Sequence, residues 1–182
     1  MKKFTVRELT FAAMFVALIV IGTFVRIPVG EDYYTLQFLF TLLAGLVLGS
    51  KLGTSATAAY VLLGLLGVPV FASGGGIAYL FQPTFGYLIG FILQAWFCGR
   101  FSRIISDVTF KNLLLINLGG MLIVYLIGMA WFYIVSNFVI DTPIAFLTMI
   151  FYSFVLQVVP DGLLCVIAAA LALRLKKSNL WL

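Results

Sequence analysis

Residues 112–140 read NLLLINLGGMLIVYLIGMAWFYIVSNFVI and contain no charged side chain. About 20 consecutive apolar residues are enough for a helix to cross the hydrocarbon core of a bilayer. A run of this kind favours lipid over water as its surroundings. The stretch therefore predicts a transmembrane helix over residues 112–134.

The composition extends this prediction to the whole chain of 182 residues. Hydrophobic residues make up 64% of it and charged residues only 9%, against about 45–50% and about 25% in soluble domains. No soluble domain of this size could bury so much apolar surface. We therefore expect an all-α integral membrane protein whose residues 1–182 form a single membrane domain.

Uncharged stretches divide the chain into six predicted spans. A Gly/Pro-rich connection over residues 67–83 separates the third span from the fourth. The last apolar region, residues 142–173, would be roughly 48 Å long as one helix, so Pro160 is expected to interrupt it. A short interfacial helix near 143–156 then precedes the last span. The predicted spans are 9–27, 35–50, 53–67, 84–101, 112–134 and 159–176.

The positions of lysine and arginine predict the orientation of these spans. If both termini are cytoplasmic, Arg26 is the one basic residue of the eleven that falls outside, as the positive-inside rule requires. An odd number of spans would place one basic terminus outside, which favours six. The net charge of +5 is thus a topology signal in a multi-pass protein of the cell (plasma) membrane. It does not indicate nucleic-acid binding.

Asp161 is the one acidic residue set within apolar sequence. Charge in the bilayer is costly, so an acid at such a position is a candidate functional residue. If the last helix begins near residue 159, Asp161 lies in its first turn. Its carboxylate then either accepts hydrogen bonds from N–H groups of a ligand or caps its own helix, and the sequence leaves both interpretations open.

The segment GVPVFASGGGIAY, residues 67–79, is the second candidate site. Its glycine run lets the backbone approach a ligand closely or adopt positive φ, and nearby hydroxyl and amide groups supply hydrogen bonds. A flexible outer loop is the alternative interpretation, and its aromatic residues are also ordinary at membrane interfaces. The residues predicted to form a pocket here are Phe71, Ser73, Gly74, Gly75, Gly76, Tyr79, Gln82 and Tyr87.

Nothing in the chain predicts catalysis. It has no histidine, its acids are scattered rather than paired with a nucleophile, and it lacks a nucleotide-hydrolysing motif. We expect no enzyme activity, no cofactor and no metal. Energy for uphill transport would come from a partner or an ion gradient. Ala13 and Ala17 lie one turn apart on the first helix, a spacing that permits close helix–helix approach.

Three segments carry a resemblance to a known family. They are TLQ at 35–37 with LAGLVLG at 43–49, LLGLLGVPVFA at 62–72, and GGGIAYLFQPTFGYLIGF at 74–91. Together they resemble the BioY family, the biotin-specific substrate-capture (S) subunits of energy-coupling factor (ECF) transporters. The resemblance implies a six-helix ECF S-component fold with one biotin pocket near the outer face. The loop after helix 3 would roof the pocket, and the start of helix 6 would line it.

The same resemblance implies partners and residue roles. A transmembrane coupling subunit and two cytoplasmic ATPases would use ATP to drive high-affinity biotin uptake, and Ala13 with Ala17 would face the coupling subunit. Asp161 and Ser73 would bind the ureido ring of biotin. The residues expected to enclose the ligand or add polar contacts are Gln37, Phe71, Gly74, Gly75, Gly76, Tyr79, Gln82 and Tyr87.

The chain departs from the family pattern at helix 6. The sequence Pro160-Asp161-Gly162 stands where the family has Pro-Gly-Asp, and Cys165 occupies the position of a lysine expected to pair with the biotin carboxylate. Losing such a hydrogen bond forfeits about 1.5–3 kcal/mol. Arg26 could supply the missing charge. The alternatives are a different carboxylate vitamin, such as lipoate or a biotin precursor, and a stand-alone secondary carrier.

Overall fold

The computed structural model describes residues 4–29, 32–140, 142–151, 154, 156–178 and 181. Its helices are α1 (Val6–Phe24), α2 (Gln37–Leu65), α3 (Phe85–Ile104), α4 (Phe110–Phe138), α5 (Phe146–Ile150) and α6 (Leu156–Lys177). Strands β1 (Arg26–Val29) and β2 (Asp32–Thr35) pair antiparallel between α1 and α2. A 3-10 helix (Ile77–Phe81) lies between α2 and α3. Within this described part, α1, α2, α4 and α6 each contain an apolar stretch long enough to cross a membrane.

Helix α2 is a helical hairpin rather than one straight rod. Gly49 interrupts it with φ 77° and ψ 175°, a conformation that glycine adopts without steric cost. The Gln37 Nε2 atom lies 3.0 Å from the Tyr60 hydroxyl, although the residues are 23 positions apart. A straight helix would separate them by roughly 34 Å. The two arms of α2 therefore run antiparallel, and with α1, α3, α4 and α6 they make six long helical segments.

Small residues hold α3 against this hairpin. A Cβ atom placed on Gly45 would lie 2.5 Å from the backbone oxygen of Ala95, and one placed on Gly99 would lie 2.5 Å from the backbone nitrogen of Ser50. Close approach of this kind is how membrane helices gain packing energy where lipid provides no hydrophobic drive. The hairpin and α3 thus form the tightly packed centre of the bundle.

Arg103 binds backbone carbonyl groups where the α2 hairpin reverses direction. Its guanidinium donates to the carbonyl oxygens of Leu46 at 2.9 Å and Val47 at 3.1 Å. The last carbonyls of a helix have no intrahelical partner, and Arg103 satisfies two of them. The guanidinium also lies 4.5 Å from the ring of Trp181, so Trp181 lies at this same end of the bundle.

Several helix boundaries differ from the predicted spans by about one turn, and two of these differences involve a proline. Helix α1 ends at Phe24 and β1 follows from Arg26, because Pro28 cannot donate a helical hydrogen bond and disfavours helix in the residue before it. Helix α6 begins at Leu156 and contains Pro160. Pro160 lacks the N–H that would bond to the carbonyl of Leu156, and because Leu156 is the first residue of α6, no earlier turn of the helix is disrupted. The helix predicted near 143–156 is α5, which covers only Phe146–Ile150.

Candidate ligand-binding cavity

A cavity of about 200 Å³ opens where the start of α2, the loop after α2, the start of α3, the middle of α4 and the start of α6 meet. Apolar side chains form much of its wall, and a few polar groups converge on it, as in most small-molecule sites. Its lining residues are Thr35, Gln37, Phe38, Ala72, Ser73, Tyr79, Thr84, Tyr87, Leu88, Phe91, Val124, Tyr125, Gln157 and Asp161.

Asp161 supplies an acidic group to this cavity. Its side chain is only 6% exposed, and its Oδ2 accepts a hydrogen bond of 2.7 Å from the hydroxyl of Tyr125 on α4. Because α6 begins five residues earlier, at Leu156, Asp161 cannot be the N-terminal cap of its helix. The capping interpretation is therefore wrong. Tyr125 engages one carboxylate oxygen and leaves Oδ1 as the oxygen available to a ligand.

The loop after α2 is fastened to the bundle through its backbone. The Gly76 N–H donates to the Gly64 carbonyl at 2.7 Å, and Phe71 and Gly74 exchange N–H to carbonyl bonds of 2.9 and 3.2 Å. Gly74 and Gly76 have φ values of 109° and 105°, which side-chain-bearing residues rarely adopt. These bonds place Ser73 at the cavity wall, so this segment is an ordered turn.

Phe71 supports the cavity from behind. Its ring is 1% exposed and lies between two tyrosines, with its centroid 5.6 Å from that of Tyr60 and 4.5 Å from that of Tyr79. The ring also packs directly on Gly64, where a side chain would collide with it. Phe71 therefore fixes the position of Tyr79, which is the aromatic residue of this pair that faces the cavity.

The structure brings together part of the predicted site. Gln37, Ser73, Tyr79, Tyr87 and Asp161 all line the cavity. The glycines 74–76 shape the loop, and Phe71 lies behind Tyr79. Gln82 is not among the lining residues. Its side chain is exposed, its backbone N–H donates to the Tyr79 carbonyl at 3.0 Å, and its carbonyl accepts from the Phe85 N–H at 3.0 Å.

Cys165, at the family's lysine position, does not take over that role. It lies one turn beyond Asp161 and is fully buried. Its backbone carbonyl accepts a 2.9 Å hydrogen bond from the side chain of Asn117, which ties α6 to α4. That bond involves only the backbone of Cys165, while its buried side chain packs in the hydrophobic core.

Four polar lining residues escaped sequence analysis: Thr35, Thr84, Tyr125 and Gln157. Two of them carried a signal. Gln157 lies four residues before Asp161 and therefore on the same helical face. Tyr125 carries a hydroxyl group in the middle of an apolar span. It lies one helical turn after Met121, and both residues are on the buried face of α4.

Ala13 and Ala17, on α1, are not among the lining residues of this cavity. Both are exposed. Ala13 also contributes to an apolar groove of about 410 Å³ formed with the second arm of α2, including Leu52 and Ala56. This face of α1 is smooth and uncharged, which suits contact with another membrane helix.

Known proteins match this chain over almost its whole length. The BioY family model matches residues 1–180. The probable biotin transporter BioY of Lysinibacillus sphaericus is 37% identical over 177 residues, which cover 97% of this chain and 90% of that protein. The biotin transporter BioY of Thermotoga maritima is 42% identical over 172 residues, or 94% of this chain and 96% of that protein.

A solved structure shares the architecture. The crystal structure of the S-component for biotin from an ECF-type ABC transporter matches with a TM-score of 0.79 at 28% identity, covering 96% of this chain and 95% of that one. The predicted six-helix S-component fold and the predicted multi-pass membrane protein are therefore confirmed. The resemblance read from the three sequence segments is confirmed as well: this chain belongs to the BioY family.

Proposed function

We propose that this protein is the biotin-capturing S subunit of an ECF transporter. It binds biotin in the cavity and catalyses no reaction, while partner subunits hydrolyse ATP. Biotin is the transported ligand, and the chain needs no cofactor. The observation that carries the proposal is the buried Asp161–Tyr125 pair at a mostly apolar cavity, in a chain of this family.

The chemistry of the cavity suits a cyclic urea attached to an apolar body. Asp161 offers a carboxylate oxygen to a ureido N–H, and hydrogen bonds to an ionised group are stronger than neutral ones. Ser73 adds a hydroxyl that both donates and accepts. Phe38 and Phe91 present apolar surface to the thioether ring and the alkyl chain. Tyr79 and Tyr87 enclose the ligand.

The carboxylate of biotin needs a cationic partner from outside the cavity's described wall, where no residue is basic. Arg26 is the candidate. The β1–β2 register pairs it with Thr35, which lines the cavity, although the Arg26 side chain lies outside the described residues. We propose that its guanidinium compensates for Cys165, which stands where the resemblance led us to expect a lysine.

Basic residues gathered at one end of the bundle support an orientation of the protein in the membrane. The last turn of α6 contains Arg174, Lys176 and Lys177, and Arg103 and Trp181 share its end of the bundle. The positive-inside rule assigns this end to the cytoplasm. Both termini are then cytoplasmic, and the cavity opens toward the outside, where an uptake protein must capture its ligand.

Asp161→Asn tests the cavity assignment. The substitution keeps the size of the side chain but removes the charge, so the affinity for biotin should fall by about 10- to 100-fold. Isothermal titration of the detergent-solubilised protein measures this. Asp107→Asn, at an exposed acid between α3 and α4, should bind like the wild type. A wild-type protein that does not bind biotin would contradict the proposed function.

Arg26→Ala tests the charge partner. The variant should lose about 10-fold or more in affinity for biotin, because a charge-assisted hydrogen bond is lost. Biotinamide has no carboxylate, so wild type and variant should bind it equally. An unchanged affinity of the variant for biotin would exclude Arg26 as the partner of the biotin carboxylate. It would not affect the role proposed for Asp161.

Leucine at Ala13 and Ala17 tests the partner surface. The added side chains would hold a coupling subunit away from α1, so biotin uptake by cells that express all subunits should be lost. Binding of biotin to the isolated variant should not change, because neither residue lines the cavity. Ala130→Leu, at an exposed alanine on α4, is the control and should support uptake. Normal uptake by the Ala13/Ala17 variant would refute this interface.

A further inference from the structure

Tyr60 lies on the second arm of α2 and is completely buried. Its hydroxyl is within hydrogen-bond distance of groups on three other segments. The Gln37 Nε2 atom is 3.0 Å away, the Val70 carbonyl oxygen 3.0 Å and the Thr23 Oγ1 atom 3.2 Å. One hydroxyl therefore joins the end of α1, the start of α2 and the loop that carries Ser73.

The single hydrogen of this hydroxyl determines the direction of its bonds. A carbonyl oxygen only accepts, so Tyr60 donates its hydrogen to Val70. Across the 3.2 Å contact with Thr23, Tyr60 can then only accept, and the Thr23 hydroxyl has the Ile19 carbonyl at 2.9 Å as its other acceptor. The side chain of Gln37 must then donate to Tyr60, which requires its nitrogen rather than its oxygen to face the ring. The Gln37 Oε1 atom is consequently the acceptor that the amide leaves for the cavity, beside the second hydrogen of its Nε2.

We propose that Tyr60 is a positioning residue for ligand binding. It fixes the Gln37 amide so that a hydrogen-bond acceptor is presented to an N–H group of the ligand. It also fastens Val70, and through it Ser73, in the arrangement that closes the cavity wall. Tyr60 itself does not line the cavity. The identity of the ligand, biotin, rests on the proposed function, whereas the positioning role rests on the hydrogen bonds alone.

The consequence is a pair of acceptors at the cavity. Gln37 presents Oε1 and Asp161 presents Oδ1, while Tyr60 and Tyr125 each occupy the other polar atom of its partner. A cyclic urea has two ring N–H groups and matches such a pair. An unfastened Gln37 could rotate its amide and offer a donor instead, which would leave a ligand N–H without an acceptor.

Tyr60→Phe removes the hydroxyl and keeps the ring. The edge-on contact with Phe71, with centroids 5.6 Å apart, is retained. The affinity for biotin should fall about 3- to 10-fold, the effect of a lost neutral hydrogen bond, and mainly through faster dissociation. In a Gln37→Ala background the same substitution should cost clearly less, because there is no amide to position. Tyr133→Phe on α4, with a ring that packs on Phe138 and Phe146, should bind like the wild type.

A ligand-free measurement separates this inference from the proposed function. Hydrogen–deuterium exchange of residues 70–76 should be faster in Tyr60→Phe than in the wild type, whichever ligand the protein binds. Unchanged exchange, or an equal loss of affinity in both Gln37 backgrounds, would overturn the positioning role. If Tyr60→Phe does not fold, Gln37→Glu provides the same test, because an ionised carboxylate cannot donate to Tyr60. Failure of the wild type to bind biotin would refute the proposed ligand only.

Discussion

Every backbone N–H and carbonyl group inside a bilayer must find its partner within the protein, and this requirement explains where the bundle departs from regular helix. At Gly49 the chain reverses, and Arg103 takes up the carbonyls of Leu46 and Val47. At the other end, the loop after α2 bonds to the Gly64 carbonyl and to Tyr60. Irregular backbone persists only where such partners exist, and the cavity lies beside the second of these regions.

The cavity depends on rigid surroundings more than on its own loop. Glycines at the contact between α3 and the α2 hairpin allow backbone to meet backbone, so the walls contributed by Phe38 and Phe91 are fixed by close packing. Against this platform, two tyrosine hydroxyls orient two polar side chains, Gln37 and Asp161. Preorganisation of this kind lowers the ordering cost of binding. A small, uncharged ligand body can therefore be held firmly in a membrane protein.

The sequence predicted the helical segments and one acid of the site because lipid imposes simple rules. Uncharged runs define helices, and a lone acid such as Asp161 is conspicuous among apolar residues. It predicted the start of the last helix near residue 159, with Pro160 in the first turn, whereas α6 begins at Leu156 and one turn of helix precedes the proline. Tyr60 and Tyr125 were also missed. A tyrosine in an apolar run looks like an interface residue until its long-range hydrogen-bond partner is known.

The proposed function depends on biotin binding in this cavity. Native mass spectrometry can test this binding directly. The protein is purified in detergent from cells supplied with biotin, and the detergent is removed in the gas phase. We expect one biotin per chain, displaced by an excess of isotopically labelled biotin. A different bound carboxylate, such as lipoate, or a protein that carries no biotin and takes up none on addition, would contradict the proposed function.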